Sequence, residues 1–409
     1  MNIRRSAALV AATVAIGAVS AQAAFADGAA SASPSPKPVV PSGLYGKTDP
    51  TYDGVWRQSL ALIAQDTVGV KPADKAVTWL AGQQCENGAW GAFRAEPGKA
   101  CDAKTPVDSN STAAAVQALA AVGGRDGEVA KGVDWLKKAQ NGDGGWGYNL
   151  GGDSDANSTS VVIGALVAAG EKPAEVKSGP GKSPFDALAS LALPCSAGKN
   201  GGGALAYQPD KKGKLAANAD ATAAGVLGAL GTGFAPGKGK APDAYTCEDG
   251  RTPEAVARNG AVYLQNQLST HLYLKSQLAG AEDQPDYGNT ADAVVAVAAA
   301  EGVKYTKDPY AWLEKNAKGW AAKSGPAAYA QLIFAAHATG NDPRDFAGTD
   351  LVSALNKTGP APASAKAADE DEDKDDKSDG FGTWWIVGVM FVAAVGAGFL
   401  LSGRKKQQP

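Results

Sequence analysis

The chain has 409 residues, with 39 Lys and Arg against 42 Asp and Glu, so its formal net charge is −3. A nucleic-acid-binding surface needs a local excess of basic residues, and this balance offers none. We therefore expect no nucleic-acid partner. Once the segments at both ends are set aside, roughly 300 residues remain, which is enough for one large domain or two ordinary ones.

The N-terminal segment, residues 1–26, is typical of a secretory signal peptide. Arg4 and Arg5 precede an apolar stretch at 7–19, and small residues then fit cleavage near Ala26. Residues 27–48 are rich in Pro and Ser, a composition that predicts a linker. We expect the folded region to occupy residues 49–356.

Two stretches in the first half of this region share one pattern: ADKAVTWLAGQQCENGAWGAF from Ala73 and AKGVDWLKKAQNGDGGWGYNL from Ala130. Apolar residues at helical spacing lead to a glutamine, and a G-x-W turn follows. The matched residues are Trp79, Gln84 and Trp90 in the first copy and Trp135, Gln140 and Trp146 in the second, and a fainter copy carries Trp312 and Trp320.

A second kind of element follows each of these stretches. Residues 107–124 match residues 154–171, and weaker copies occupy 216–233, 286–302 and 323–340. Most copies open with Asp, Asn, Ser or Thr, which cap helix N-termini, and continue in small apolar residues. With an opening helix near Tyr52–Asp66, we expect about a dozen helices in five or six pairs, as in helical repeat proteins.

The run from Lys131 to Trp146, K-G-x3-L-x3-Q-x3-G-x-W, resembles the QW repeat of squalene–hopene cyclases and, more loosely, of protein prenyltransferase beta subunits. The resemblance covers about residues 50–356, and it is strong in two repeats and faded in the others. It implies an all-α fold, an α/α6 toroid built as a double ring of helix pairs. It also implies that the glutamine caps a helix and that the tryptophan packs over the neighbouring turn.

The four cysteines are even in number and belong to a secreted chain, which predicts two disulfides. Three pairings are possible, and we favour Cys85–Cys101 and Cys195–Cys247 because each closes one loop region. We predict no metal site. The run Asp153-x-Asp155-x-Asn157 begins like a calcium loop, but the glycine and glutamate that such a loop requires are missing.

Polar residues at the starts of the second-type helices are the candidate binding site. In a closed ring these starts would meet at one end of the axis, where free backbone N–H groups also lie. Simple helix capping is the alternative role for each of them. The candidate residues are Asp108, Asn110, Thr112, Asp155, Asn157, Thr159, Asp220, Thr222, Asn289 and Asp292.

The C-terminal region predicts a membrane anchor. Residues 357–382 form an acidic spacer, residues 383–402 are apolar and long enough to cross a bilayer, and residues 403–409 are a basic tail. A basic cluster next to a span marks the cytoplasmic side. We therefore expect a single-pass protein of the cell membrane with most of the chain outside.

Catalytic signatures are weak in this sequence. A cyclase needs an acid motif inside the ring, but the one D-x-D-D match, Asp373–Asp376, lies in the low-complexity spacer. A protein prenyltransferase needs zinc, and no D-x-C motif is present. We expect a binding module that needs no cofactor and holds a small molecule or a surface protein, such as an uptake transporter, in the manner of extracellular cobalamin carriers. The alternatives are a cyclase- or prenyltransferase-like enzyme and a structural interaction module.

Overall fold

The computed structural model describes residues 39–241, 246–277 and 280–363. The predicted signal peptide (1–26), membrane span (383–402) and basic tail (403–409) lie outside the described residues, as does most of the acidic spacer (357–382). Within the described residues, no helix is both long enough and apolar enough to span a membrane.

The regular secondary structure of the described residues is almost entirely helical, in agreement with the predicted all-α class. Short 3-10 helices at 173–175, 195–200 and 303–305 and one two-stranded sheet, β1 (Leu274–Lys275) with β2 (Pro285–Asp286), complete it. The α-helices are α1 (Gly54–Thr67), α2 (Asp74–Gly82), α3 (Ser109–Val122), α4 (Asp126–Lys138), α5 (Ala156–Ala168), α6 (Pro184–Leu191), α7 (Ala219–Ala229), α8 (Pro253–His271), α9 (Tyr287–Glu301), α10 (Lys307–Asn316), α11 (Lys318–Ser324), α12 (Pro326–Thr339) and α13 (Leu351–Asn356).

Six helices make up most of the buried core, and we call α1, α3, α5, α7, α9 and α12 the core helices. Each packs against two others, in the order α1, α3, α5, α7, α9, α12 and back to α1. Alanine, glycine and valine dominate them, and small side chains let neighbouring helix backbones approach closely. The helices α2, α4, α6, α8, α10 and α11 alternate with them along the chain, and we call these the flanking helices.

The N-termini of four core helices are fixed by side-chain caps. Asp108, Asp155, Asn218 and Asp286 each accept a hydrogen bond from the backbone N–H three residues later, at the start of α3, α5, α7 and α9. Such a cap satisfies a backbone donor that has no partner inside the helix. The polar residues that open each second-type repeat therefore explain where these helices begin.

The tryptophans of the G-x-W turns occupy the joints between helices. Trp90 and Trp146 are completely buried. The indole N–H of Trp90 donates to the carbonyl oxygen of Leu80 (2.9 Å), and that of Trp146 donates to the carbonyl oxygen of Leu136 (2.7 Å). Each ring thus satisfies a carbonyl at the end of the preceding flanking helix while filling the space beside it.

Glutamine and glycine complete these turns. The side-chain amides of Gln84 and Gln140 donate to the carbonyl oxygens of Gly88 (3.0 Å) and Gly144 (2.8 Å). Both glycines have positive φ, and a Cβ atom at either position would collide with the backbone of the next repeat. Only glycine meets both conditions without strain, which accounts for the glycine-rich sequence around each tryptophan.

The other repeat tryptophans differ in environment. Trp135 is buried in the core, as Trp90 and Trp146 are. Trp79, Trp312 and Trp320 are only half-buried and pack at the edge of the core. The sequence pattern therefore marks helix joints in the first two copies, but not in the faded C-terminal copy.

The structure contains the two disulfides favoured from the sequence, Cys85–Cys101 and Cys195–Cys247.

The folded region extends beyond the predicted limits of 49 and 356. Leu44 and Tyr45, assigned to the linker 27–48, are buried, and the Tyr45 hydroxyl donates to the carbonyl oxygen of Pro360 (3.0 Å), a residue assigned to the spacer. The described ends of both flanking segments therefore pack onto the domain.

Candidate functional site

The two capping aspartates are structural groups. Asp108 is 4% exposed and Asp155 is fully buried. Their carboxylates accept the backbone N–H of Ser111 (2.6 Å) and of Ser158 (2.7 Å). Burial raises the pKa of Asp108 to about 6, against the opposing effect of these hydrogen bonds. Both residues were candidates for ligand binding, and in the structure both carboxylates are buried and used by helix caps.

The three candidate threonines also have structural partners. Thr112, Thr159 and Thr222 are fully buried. The hydroxyl of Thr159 accepts the backbone N–H of Trp146 (3.1 Å), and the hydroxyls of Thr112 and Thr222 accept the equivalent N–H groups of Trp90 and Leu205. Each hydroxyl therefore ties a turn to the core helix that follows it, and no threonine is available to a ligand.

The remaining candidates lie closer to one another. Asn110, Asn157 and Asp220 all occupy the second helical position of their core helix. The side-chain amide of Asn157 donates to Oδ2 of Asp220 (2.7 Å), which joins α5 to α7 at their N-terminal ends. Because these helix starts lie side by side, α5 and α7 run parallel, and their second positions meet.

Asp292 lies in α9, one helical turn beyond the second position of that helix. The side-chain amide of Gln331, in α12, donates to Oδ2 of Asp292 (2.9 Å). Asp220 lies near enough to raise the pKa of Asp292 through its charge. We call Asn110, Asn157, Asp220, Asp292 and Gln331 the polar cluster; its members belong to five successive core helices, α3, α5, α7, α9 and α12.

The carboxylates near this cluster are held at raised pKa. Burial raises the pKa of Asp292 to about 8, with the charges of Asp220 and Asp286 adding to the effect and the Gln331 hydrogen bond opposing it. Burial also raises the pKa of Asp220 and of Asp286. Within residues 39–241, 246–277 and 280–363, none of the ion pairs includes these three residues. Because none of these three carboxyl groups has a basic partner among the described residues, each one that loses its proton adds an unbalanced negative charge to this part of the protein.

Two amide oxygens in the polar cluster have no partner. Oδ1 of Asn110 and Oδ1 of Asn157 are buried and accept no hydrogen bond. Asn110 as a whole is 7% exposed, and its position in α3 corresponds to that of Asn157 in the adjacent helix α5. Buried polar atoms are normally paired, so these two orphan acceptors, at matching positions of adjacent core helices, indicate that a donor is expected there.

A series of stacked aromatic rings borders the polar cluster. Trp312 stacks between Tyr273 (centroids 4.7 Å apart) and Tyr287 (5.4 Å), and Tyr287 stacks in turn on Trp320 (5.8 Å). We call these four rings the aromatic stack. All four are half-buried. A Cβ atom built on Gly288 would lie 3.4 Å from the Gln331 amide and 3.5 Å from the Trp320 ring, so the stack reaches the polar cluster at that glycine.

The segment that follows α7 crosses the set of core helices. The backbone N–H of Phe234 donates to Gln117 in α3 (3.3 Å), and the Phe234 ring meets Trp56 of α1 edge-on (5.4 Å). Further along, the backbone N–H of Gly239 donates to the carbonyl oxygen of Ala298 in α9 (2.9 Å). This segment thus contacts three core helices and adds one aromatic ring, Phe234, beside Trp56.

Sequence reasoning missed two residues at this site. Gln331 is a polar side chain in the otherwise apolar first half of α12, and that isolation was the available signal. Asp286 caps α9. It opens the predicted copy at 286–302, but it was not among the candidate site residues. Asn289 itself lies in the first turn of α9, where its amide donates to Oδ2 of Asp286 (2.9 Å), so its side chain supports the cap.

In the part of the chain that the structure describes, no group of three His, Cys, Asp or Glu side chains is placed to hold a metal ion.

Comparisons with known proteins give little to set beside this geometry. No family model matches the chain, and no curated protein matches it. Among solved structures, the crystal structure of a protein from Actinoplanes is similar at 16% identity, covering 74% of this chain and 96% of that one. The TM-score is 0.48, which is too low to support an argument about fold or function.

Proposed function

We propose that the folded region is an α/α6 toroid on the outer face of the cell membrane and that it binds a small molecule at the polar cluster. The cyclic packing order of the core helices supports the closed ring. Two disulfides suit an oxidising compartment outside the cytoplasm. The predicted signal peptide and membrane span complete this proposal of location.

One observation carries the binding function: polar groups of neighbouring core helices interact, Asn157 with Asp220 and Gln331 with Asp292, and two amide oxygens of the cluster remain unpaired. A protein that used these residues only to hold helices together would pair them, because an unpaired buried acceptor costs about 1–3 kcal/mol. Aromatic rings beside convergent polar groups are also the usual composition of a small-molecule site. An uptake system is the partner that such a surface module would serve.

The test is native mass spectrometry of the full chain purified from its own host. We expect a bound small molecule that is lost from the Asp220→Asn, Asp292→Asn double variant while the melting temperature stays within a few degrees of wild type. A chain that carries no molecule, or a double variant that retains it fully, would refute the proposal. An Asp134→Asn variant, changed on the exposed face of α4, is the matched control.

A cyclase-like enzyme is the second candidate, and Asp292 is the observation that favours it. A carboxyl group with a pKa of about 8 keeps its proton at neutral pH, which an acid-initiated reaction requires. Incubating the full chain with squalene or with prenyl diphosphates tests this candidate. Turnover abolished by Asp292→Asn but retained when the spacer acids are removed would favour the enzyme over the binding module.

A further inference from the structure

The hydrogen-bonding balance of the polar cluster is uneven. The amide groups of Asn157 and Gln331 already donate to Asp220 and Asp292. Two further acceptors are buried and unpaired, Oδ1 of Asn110 and Oδ1 of Asn157, and the two aspartates accept these bonds through Oδ2. A ligand that pairs with these oxygens must bring donors.

The charge of the site points in the same direction. Asp220, Asp286 and Asp292 influence one another electrostatically, and among the described residues no lysine or arginine forms an ion pair with any of them. Carboxylates gathered in a recessed site must keep protons or take up a cation. The described side chains include no group of acids spaced to hold a metal ion, whereas an ammonium group needs only oxygens within about 2.7–2.9 Å of its N–H bonds.

The aromatic stack adds an apolar surface next to the acceptors. The ring of Trp320 and the amide of Gln331 approach the same position, Gly288, from two sides. A cation close to a tryptophan or tyrosine ring is attracted by the electrons of the ring face, and the carbon skeleton that bears it can pack against the same rings. A bare metal ion would not use this surface.

We propose that the polar cluster binds the ammonium group of a small organic amine. The N–H groups donate to Asp220, Asp292 and the amide oxygen of Asn157, with Asn110 beside them, and the apolar part of the amine lies against the aromatic stack. This assignment rests on the proposed binding function and specifies its ligand class. An ammonium group has three donors and no acceptor, which matches the surplus of acceptors.

Isothermal titration of the full chain in detergent with two matched probes tests the assignment. 2-Phenylethylamine and 2-phenylethanol share a ring and a two-carbon arm and differ only in the ammonium group. We expect the amine to bind at least about tenfold more tightly than the alcohol, which corresponds to about 1.4 kcal/mol, because its hydrogen bonds to the carboxylates are charge-assisted. Asp220→Asn and Asp292→Asn should each abolish that preference, and Asp134→Asn should preserve it.

The outcomes separate this assignment from the proposed function. If amine and alcohol bind equally, or if only the alcohol binds, the site holds ligands but the ammonium assignment is wrong. If neither probe binds while the purified chain carries another molecule that depends on Asp220 and Asp292, the ligand class is again wrong and the binding function stands. If neither probe binds and nothing is carried, both proposals fail. Because the asparagine variants are isosteric, thermal melts decide whether a lost preference reflects the site or a loss of folding.

Discussion

Glu301 is an ionisable residue in a buried environment that offers its carboxyl group no hydrogen-bond partner. It lies at the end of α9, fully buried, and neither carboxylate oxygen has a hydrogen-bond partner. Burial raises its pKa from the ordinary 4.5 to about 7. A carboxyl group in this position is tolerated only while it keeps its proton, so it makes the stability of the fold depend on pH.

We expect Glu301→Gln to stabilise the protein above neutral pH. Below pH 4.5 the group is protonated in both states and has no effect. Between pH 4.5 and about 7 the unfolded state loses its proton while the folded state retains it, so stability falls as pH rises, and above pH 7 the loss is complete. The full difference corresponds to about 3 kcal/mol.

Urea denaturation of wild type and Glu301→Gln at pH 4, 6 and 8 measures this effect. The two free energies of unfolding should be similar at pH 4 and diverge towards pH 8. The exposed Glu254, in the first turn of α8, provides the control Glu254→Gln, which should leave the pH dependence of wild type unchanged. If the free energies of unfolding of wild type and Glu301→Gln change with pH in the same way, burial does not raise the pKa of Glu301.

The buried threonines make a second prediction at this scale. Thr159→Val keeps the side-chain shape but removes the acceptor of the Trp146 backbone N–H, leaving that donor unpaired in the core. We expect the free energy of unfolding to fall by about 1–3 kcal/mol. In the control Thr67→Val, the lost hydroxyl donates only to the carbonyl oxygen one turn earlier in α1, and the cost should be under about 1 kcal/mol. Equal costs would argue against the role assigned to Thr159.

At the scale of the helices, the repeat tryptophans separate into two groups. Trp146 is fully buried, and its indole N–H satisfies the carbonyl of Leu136, whereas Trp320 is half-buried in the aromatic stack. We expect Trp146→Ala to reduce the free energy of unfolding by about 3–5 kcal/mol and Trp320→Ala by about 1–2 kcal/mol. Chemical denaturation of both variants measures the difference. A cost for Trp320→Ala as large as that for Trp146→Ala would mean that the faded repeat keeps the same joint.

Periodicity and capping residues predicted the helices well because both are local. The second-type pattern located α3, α5, α7, α9 and α12, including the faded last copy, and the G-x-W pattern located α2 and α4. What sequence could not supply was the role of each polar residue at a helix start. Asp108 and Asn110 look equally suited to a ligand in the sequence, yet one is consumed by its cap and the other is left unpaired.

At the scale of the whole molecule, the candidate site depends on contacts between distant parts of the chain. Asn157 and Asp220 are 63 residues apart, and Gln331 and Asp292 are 39 apart. The sequence predicted that Asn110, Asn157, Asp220 and Asp292 would lie at one end of the core helices. It did not predict that Gln331 would donate a hydrogen bond to Asp292. No local signal distinguishes a glutamine that faces a carboxylate in the neighbouring core helix from one that faces solvent.

The contact between the first and last core helices is reinforced by the segments on either side of the domain. The backbone N–H of Gly46 donates to the carbonyl oxygen of Thr358 (3.0 Å), and the side-chain amide of Gln65 in α1 donates to Asn356 in α13 (2.7 Å). Tyr45, fully buried, lies between these bonds and donates to Pro360. These interactions hold the two ends of the repeat array together.

Tyr45 should therefore contribute far more to stability than its place in a Pro-rich segment suggests. We expect Tyr45→Ala to cost about 3–5 kcal/mol because it leaves a cavity, and Tyr45→Phe about 1 kcal/mol because it removes only the hydroxyl bond. Tyr52→Ala, at a side chain 87% exposed, is the control and should change stability by less than about 0.5 kcal/mol.

Hydrogen exchange gives the decisive readout for the same variant. In Tyr45→Ala, the amides of α1, α12 and α13 should lose protection together. The amides of α6, which packs against α5 and α7, should lose less. Uniform loss across all helices would mean that the domain unfolds only as a whole, and an unchanged α12 would mean that Tyr45 does not secure this contact.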